Sequence, residues 1–189
     1  MQMNISEHEE QWLTTRGAEM ISTLGIKSSN IVIDFGCGIG RYTIPLSRIA
    51  GENGRVFAVE RDAQELAILR KRIDRFGNPD TIEVLESDDI RLQSVKDSSI
   101  DQMLTFDVLQ YIADHEMFFQ SVHRVLKPGG QIHVYPAAVP HPDAVNMTQV
   151  KQLMTRCGLT YTGKTRFRMM HNKDIVHDEV HTFRLPDND

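Results

Sequence analysis

The chain has 189 residues, 40% of them hydrophobic, a formal charge of −5 and a pI near 5.9. That length closes one substantial core and falls short of two comfortable domains, and the acidic balance argues against broad affinity for nucleic acid, which needs Lys and Arg to displace counterions around phosphates. No apolar run approaches the roughly 20 residues that span a bilayer, and the N-terminal residues have neither the basic start nor the apolar core of a secretory signal, so a cytoplasmic protein without a membrane partner is expected.

In chain order, residues 7–24 carry Trp12, Leu13, Met20, Ile21 and Leu24 at roughly helical spacing, behind Ser6 as N-cap with Glu9 three residues later. Residues 30–35 read as a short buried strand containing Asp34, followed by glycines at 36, 38 and 40 and a helix over 42–49. Strands are expected at 56–59 and 81–85, with a helix over 63–76 between them. A fourth strand is expected at 100–106, then a helix over 117–126 stopped by Pro128-Gly129-Gly130, and a fifth strand at 131–135. Beyond a proline-marked loop at 136–142, residues 145–157 have helical spacing with Gly158 as C-terminal cap, and strands are expected at 159–169 and 175–185. Strands alternating with helices at this spacing predict a three-layer, doubly wound, mainly parallel α/β sheet with its ligand at the carboxyl ends of the strands. One domain spans 1–189: an N-terminal helix region at 1–28, a ligand-binding core at 29–135, and a C-terminal helix and hairpin at 136–189.

The strongest motif is Ile31-Val32-Ile33-Asp34-Phe35-Gly36-Cys37-Gly38-Ile39-Gly40-Arg41. A strand emptying into a turn without side chains brings backbone N–H groups and a helix N-terminus close to a ligand. Arg41 stands where a dinucleotide fingerprint places its third glycine. Glu60, twenty residues after Gly40, ends the second strand, where a carboxylate accepts hydrogen bonds from both hydroxyls of a ribose. Between residues 144 and 173 there is no acidic residue, while Lys151, Arg156, Lys164, Arg166, Arg168 and Lys173 are basic; a solvated face is the plainer reading and an anionic substrate the sharper one.

Taken together, the segments resemble the class I S-adenosylmethionine-dependent methyltransferases of the common small-molecule type, over nearly the whole chain. The likeness rests on the glycine turn, on Glu60 in Phe57-Ala58-Val59-Glu60-Arg61, on Asp88 in Glu86-Ser87-Asp88-Asp89, and on Asp97-Ser98-Ser99-Ile100-Asp101 and Arg124-Val125-Leu126-Lys127-Pro128-Gly129-Gly130. The resemblance implies a seven-stranded Rossmann-like sheet with its last strand antiparallel, S-adenosylmethionine as cofactor, and methyl transfer to a small-molecule acceptor. It also implies the roles of individual residues. Gly36, Cys37, Gly38 and Gly40 form the turn against which the methionine portion lies, Asp34 holds its ammonium, and Glu60 binds the ribose. Arg61 packs near the adenine, Asp88 accepts from its exocyclic amine, the Asp89 N–H meets a ring nitrogen, and Phe106 covers the cofactor.

Direct displacement from a sulfonium needs mainly alignment and exclusion of water, so the sequence does not oblige a general base. Tyr111 and His115 lie where such enzymes meet substrate, although Gln110-Tyr111 departs from the common pattern. The segment Thr105-Phe106-Asp107-Val108 lacks the Asp/Asn-Pro-Pro-aromatic element of the enzymes that methylate amino groups of DNA bases. Two other readings stand beside methyl transfer: a catalytically silent cofactor-binding or partner-stabilising module, and an NAD-dependent oxidoreductase, disfavoured by Arg41 and Asp88. The alternation His177-Asp178-Glu179-Val180-His181 puts two imidazoles and a carboxylate on one strand face, but without the spacing of a known zinc motif, and no metal is expected. Cys37 and Cys157, far apart, are read as reduced thiols, and Trp12 as a lid or as ordinary packing.

Overall fold

The computed structural model describes residues 5–136 and 145–187. Seven strands form one sheet in the order β3-β2-β1-β4-β5-β7-β6, with β1 Ile31–Phe35, β2 Arg55–Glu60, β3 Ile82–Glu86, β4 Ile100–Phe106, β5 Leu126–Tyr135, β6 Thr160–His171 and β7 Asp174–Arg184. Pairings from β3 through β5 are parallel, and β7 runs antiparallel to both β5 and β6. The expected seven-stranded sheet with its last strand antiparallel is thus the observed one.

Side-chain alternation along the central strands supplies both helical layers with apolar surface. Val32, Val56, Ala58 and Leu104 face a layer made by the N-terminal helix with α3 Thr43–Ala50 and α4 Ala63–Phe76. Ile33, Phe35, Met103, Ile132 and Val134 face α5 His115–Val125 and α6 Met147–Arg156 through Phe118, Phe119, Val122, Val150 and Met154. Each of α4, α5 and α6 starts where a short polar side chain accepts the orphan N–H groups of its first turn: Asp62 from Gln64 N and Glu65 N, Asp114 from Met117 N, and Asn146 from Thr148 N and Gln149 N. The Asp114 cap explains why α5 begins two residues before the expected 117.

Three local expectations are corrected. Strand β5 begins at Leu126, opposite Ile100, and a register shift between Ile100 and Gln102 absorbs Pro128 and the two glycines, so that turn lies inside the ladder instead of ahead of it. The last two strands run further than expected, pairing down to His171 and Asp174, with Asn172 at a φ of +54° in the tight hairpin between them. The N-terminal helix is α1 Glu7–Gln11, a π-helical turn at Trp12–Arg16, and α2 Gly17–Ser22. Ser6 caps it through Glu9 N as expected, but the Glu9 side chain does not complete a capping box. It turns inward to bond Arg72 at 2.7 Å, with Arg41 at 3.6 Å.

This inward turn anchors the N-terminal helix. The Glu9 and Arg72 side chains are only 3% and 5% exposed, so removing one partner leaves the other charge buried and uncompensated. Glu9→Ala is therefore expected to cost about 3 kcal/mol in urea unfolding, whereas Glu83→Ala, which breaks the exposed Arg55–Glu83 pair, costs under about 1 kcal/mol. Equal costs would contradict the anchoring role.

Candidate functional site

At the carboxyl edge of the sheet, β1 empties into the turn 36–42 before α3. The turn has few side chains of its own to pack, and it is hung from the end of β2. Gly36 N and Cys37 N both donate to Val59 O, at 2.9 and 3.0 Å. Gly38 N donates to Glu60 Oε2 at 3.0 Å, while Glu60 Oε1 accepts from Arg61 N and Asp62 N at 2.8 and 3.0 Å.

Two of the glycines are needed for different reasons. A Cβ on Gly40 would stand 2.3 Å from Leu69 Cδ1, so the bare backbone there admits α4. A Cβ on Gly38 would meet nothing closer than Glu65 Oε2 at 3.5 Å, so that bare backbone faces open space available to a ligand. Both have positive φ, +82° and +51°.

Beneath the turn, Asp34 is buried on β1 and accepts a hydrogen bond from Thr43 Oγ1 at 2.6 Å. Burial raises its carboxyl to about 6, opposed by the Thr43 hydroxyl and reinforced by the nearby charge of Glu60. Burial likewise pushes the Cys37 thiol well above its ordinary range, as do the charges of Asp34 and Glu60, which makes Cys37 a poor nucleophile.

A cavity of about 280 Å³ opens in front of the turn, lined by Gly36, Cys37, Gly38, Arg41, Tyr42, Phe106, Asp107, Gln110, Tyr111, Met170, His171 and Asn172. Of the residues singled out in the sequence, it brings together Gly36, Cys37, Gly38 and Phe106; Glu60 joins them through its bond to Gly38. Asp34 lies behind the turn, and Gly40, within it, faces α4 instead of the cavity. Arg61 and Asp88 are exposed just past the ends of β2 and β3, on the same sheet edge but outside the cavity. Asp89 is half-buried in its own loop: its N–H donates to Ser87 Oγ at 3.0 Å and its carboxylate accepts from Arg91 N and Gln93 N.

The far wall of the cavity comes from a part of the chain that the sequence did not connect to the site. Tyr42 Oη donates to Met170 O at 2.9 Å, tying the β6–β7 hairpin to the glycine turn. The next residue, His171, places Nδ1 2.7 Å from Asp107 Oδ2, and Asn172 Nδ2 lies 3.1 Å from His171 Nε2. Asp107 holds this position with a φ of +55°, its N–H donating to Tyr135 O and its carbonyl accepting from Gln110 Nε2. Sixty-four residues separate 107 from 171, and no local pattern links them.

Other candidates separate cleanly. Tyr111 lines the cavity and is 56% exposed. His115 does not line it; its Nε2 lies 2.8 Å from Leu109 O and its ring stacks on Phe119, a structural setting at the start of α5. Trp12 is 1% exposed, donates from its indole N–H to Arg41 O and packs edge-on against Tyr42, so it buttresses the turn from behind. On β7, Glu179 bonds Lys164 and His181 bonds the Tyr161 hydroxyl. Lys151 sits 4.0 Å above the Tyr161 ring. No Lys or Arg of the 151–173 stretch lines the cavity among the described residues. The proline-marked loop at 136–142 lies outside the described residues beyond Pro136.

The chain is similar to known proteins in sequence and in fold. The model of a methyltransferase domain family matches residues 33–134. The chain is 31% identical over 113 residues to an uncharacterized 37.1 kDa protein of transposon Tn4556 from Streptomyces fradiae, covering 60% of this chain and 32% of that protein. It is 28% identical over 120 residues to the ubiquinone/menaquinone biosynthesis C-methyltransferase UbiE of Klebsiella pneumoniae, covering 64% of this chain and 47% of the relative. It therefore spans about half or less of these relatives. A solved structure of a SAM-dependent methyltransferase from Aquifex aeolicus superposes with a TM-score of 0.75 at 16% identity, covering 93% of both chains. No helix among the described residues is long and apolar enough to cross a membrane. The matched segment runs from the first strand through the fifth, takes in more than half of the chain and contains the whole turn-and-carboxylate arrangement, and on that ground the protein belongs to the methyltransferase domain family.

Proposed function

We propose that this protein transfers a methyl group from S-adenosylmethionine to a small-molecule acceptor by direct displacement. The observation that carries the reading is the union of a bare Gly38 backbone with a Glu60 carboxylate already held in place by three N–H groups. That carboxylate is oriented before any ligand arrives; Oε1 already accepts two N–H groups and Oε2 one, so the open lone pair on Oε2 suits one ribose hydroxyl, and a second would bind in place of a backbone N–H.

The remaining residues fit the same ligand in order along the sheet edge. The methionine portion would lie over Gly36, Cys37 and Gly38, its ammonium near Asp34 directly or through water. Asp88 and Asp89, beyond the end of β3, would take the adenine, with Arg61 beside it; the Asp89 N–H would exchange Ser87 Oγ for a ring nitrogen. Phe106 and the cavity residues would exclude water around the transferred group. The bound cofactor supplies an electrophilic methyl on a positively charged sulfur, and the chain supplies alignment. An anionic acceptor draws its support within the cavity from Arg41 rather than from the lysines of the 151–173 stretch. Two free cysteines accord with a reducing compartment such as the cytoplasm.

Calorimetric titration with S-adenosylmethionine tests the assignment: Glu60→Ala should weaken binding by at least about tenfold, the loss of roughly one charge-assisted hydrogen bond, and unchanged affinity would remove Glu60 from the ribose site. The pH dependence tests Asp34. A bound ammonium favours the ionised carboxylate, so affinity is fully present above about pH 6 and is lost as pH falls through that value. In Asp34→Asn this dependence should flatten, and a wild-type affinity constant between pH 5 and pH 8 would contradict the contact.

A further inference from the structure

We propose that His171, held by Asp107, is the general base of the acceptor site, and that the acceptor accordingly carries an O–H or activated C–H proton to lose. This deepens the methyl-transfer reading and rests on it.

Three observations lead there. First, the imidazole lines the same cavity as the glycine turn, so an acceptor bound in that cavity meets it. Second, the contact with Asp107 fixes the tautomer. A carboxylate oxygen only accepts, so at 2.7 Å the proton lies on Nδ1, and Nε2 presents its lone pair. The partner at Nε2 is the side-chain amide of Asn172, which is exposed and free to rotate aside for an acceptor. Third, both members of the pair are independently positioned. Asp107 stands in the left-handed region, rare outside glycine, and is clamped by Tyr135 and Gln110. His171 follows Met170, whose carbonyl is pinned by the buried Tyr42 hydroxyl.

The acceptor's O–H or C–H bond breaks with its proton passing to Nε2, and the freed electron pair forms the bond to the methyl carbon. The methyl–sulfur bond breaks with its pair left on sulfur, giving the neutral thioether of S-adenosylhomocysteine. The imidazolium, stabilised by Asp107, returns its proton to solvent as product leaves. An amine attacks through a lone pair it already has and gains little from such a base, which is why the pair points to an oxygen or carbon acid.

A purely structural latch between hairpin and β4 would show the same hydrogen bond, so the test separates the two. The first arm needs no acceptor: nitrogen NMR of histidine-labelled protein saturated with S-adenosylhomocysteine should show His171 with Nδ1 protonated and Nε2 bare. The opposite tautomer overturns the proposal. The second arm follows transfer from labelled S-adenosylmethionine to catechol, acetylacetone and aniline. His171→Gly should bind S-adenosylhomocysteine within about threefold of wild type, lower kcat on catechol or acetylacetone by about 100-fold, and recover in part with added imidazole, which a lost latch would not do. An unchanged kcat, or a loss that imidazole does not relieve, overturns the base; preference for aniline overturns the acceptor class. Failure of the wild-type protein to bind S-adenosylhomocysteine overturns the methyl-transfer reading, and this inference with it, whereas intact binding with the wrong tautomer removes the base alone.

Discussion

The hydrogen bonds that the Glu60 carboxylate accepts from the backbone N–H groups of Gly38, Arg61 and Asp62 are the constraint from which the site is built. A turn with glycine at 36, 38 and 40 has few side chains with which to fix itself, and its conformational freedom in the unfolded chain makes it costly to order. Val59 and Glu60 supply what it lacks, tying the end of β1 to the end of β2 through three N–H groups of the turn. The same bonds orient the carboxylate, so the strand order of the sheet and the polarity of the site are one fact. From β4 through β1 and β2 to β3, the strand ends present Phe106 and Asp107, the bare turn, Glu60, and then Asp88 along one edge.

The rest of the molecule secures this edge from two sides. Behind it, the N-terminal helix presses Trp12 on Tyr42 and bonds Arg41 O, while Glu9 reaches the buried Arg72 of α4. In front, the hairpin folds back and is held by Tyr42 to Met170 and by Asp107 to His171. Tyr42 takes part in both, which makes it the joint between the buttress and the cover. Such an arrangement leaves chemistry to the cavity wall. A solved structure described as the [4+2]-cyclase SpnF has this same fold, with a TM-score of 0.74 at 13% identity, so the fold by itself does not name a reaction and the residues around the cavity must.

Much of this was legible in the sequence because the relevant signals are local. The alternation of strand and helix, the glycines after Asp34 and the acid at 60 each declare themselves within a short window, and the sheet order follows from the resemblance they support. Helix starts at Asp62, Asp114 and Asn146 are local too, although the α5 boundary was misplaced because Asp114 was not weighed as a cap. The inward path of Glu9 was not legible, since it depends on a partner, Arg72, more than sixty residues away, and no local pattern marks the π-turn at Trp12–Arg16. The pairing of Asp107 with His171 escaped for the same reason. It is created by a hairpin that runs two residues past its expected end and so carries a polar turn residue over the cavity. Asp88 and Asp89 lie just past the end of β3, and the bonds that Asp89 makes there are to its own loop, at Ser87, Arg91 and Gln93.

The most direct measurement is a crystal structure with S-adenosylhomocysteine bound. The expected result is a ribose hydroxyl on Glu60 Oε2, the adenine beside Asp88, and the sulfur in the cavity between Gly38 and Phe106 with His171 across from it. A ligand bound elsewhere on the sheet, or one whose ribose leaves Glu60 bonded only to its own backbone, would contradict it.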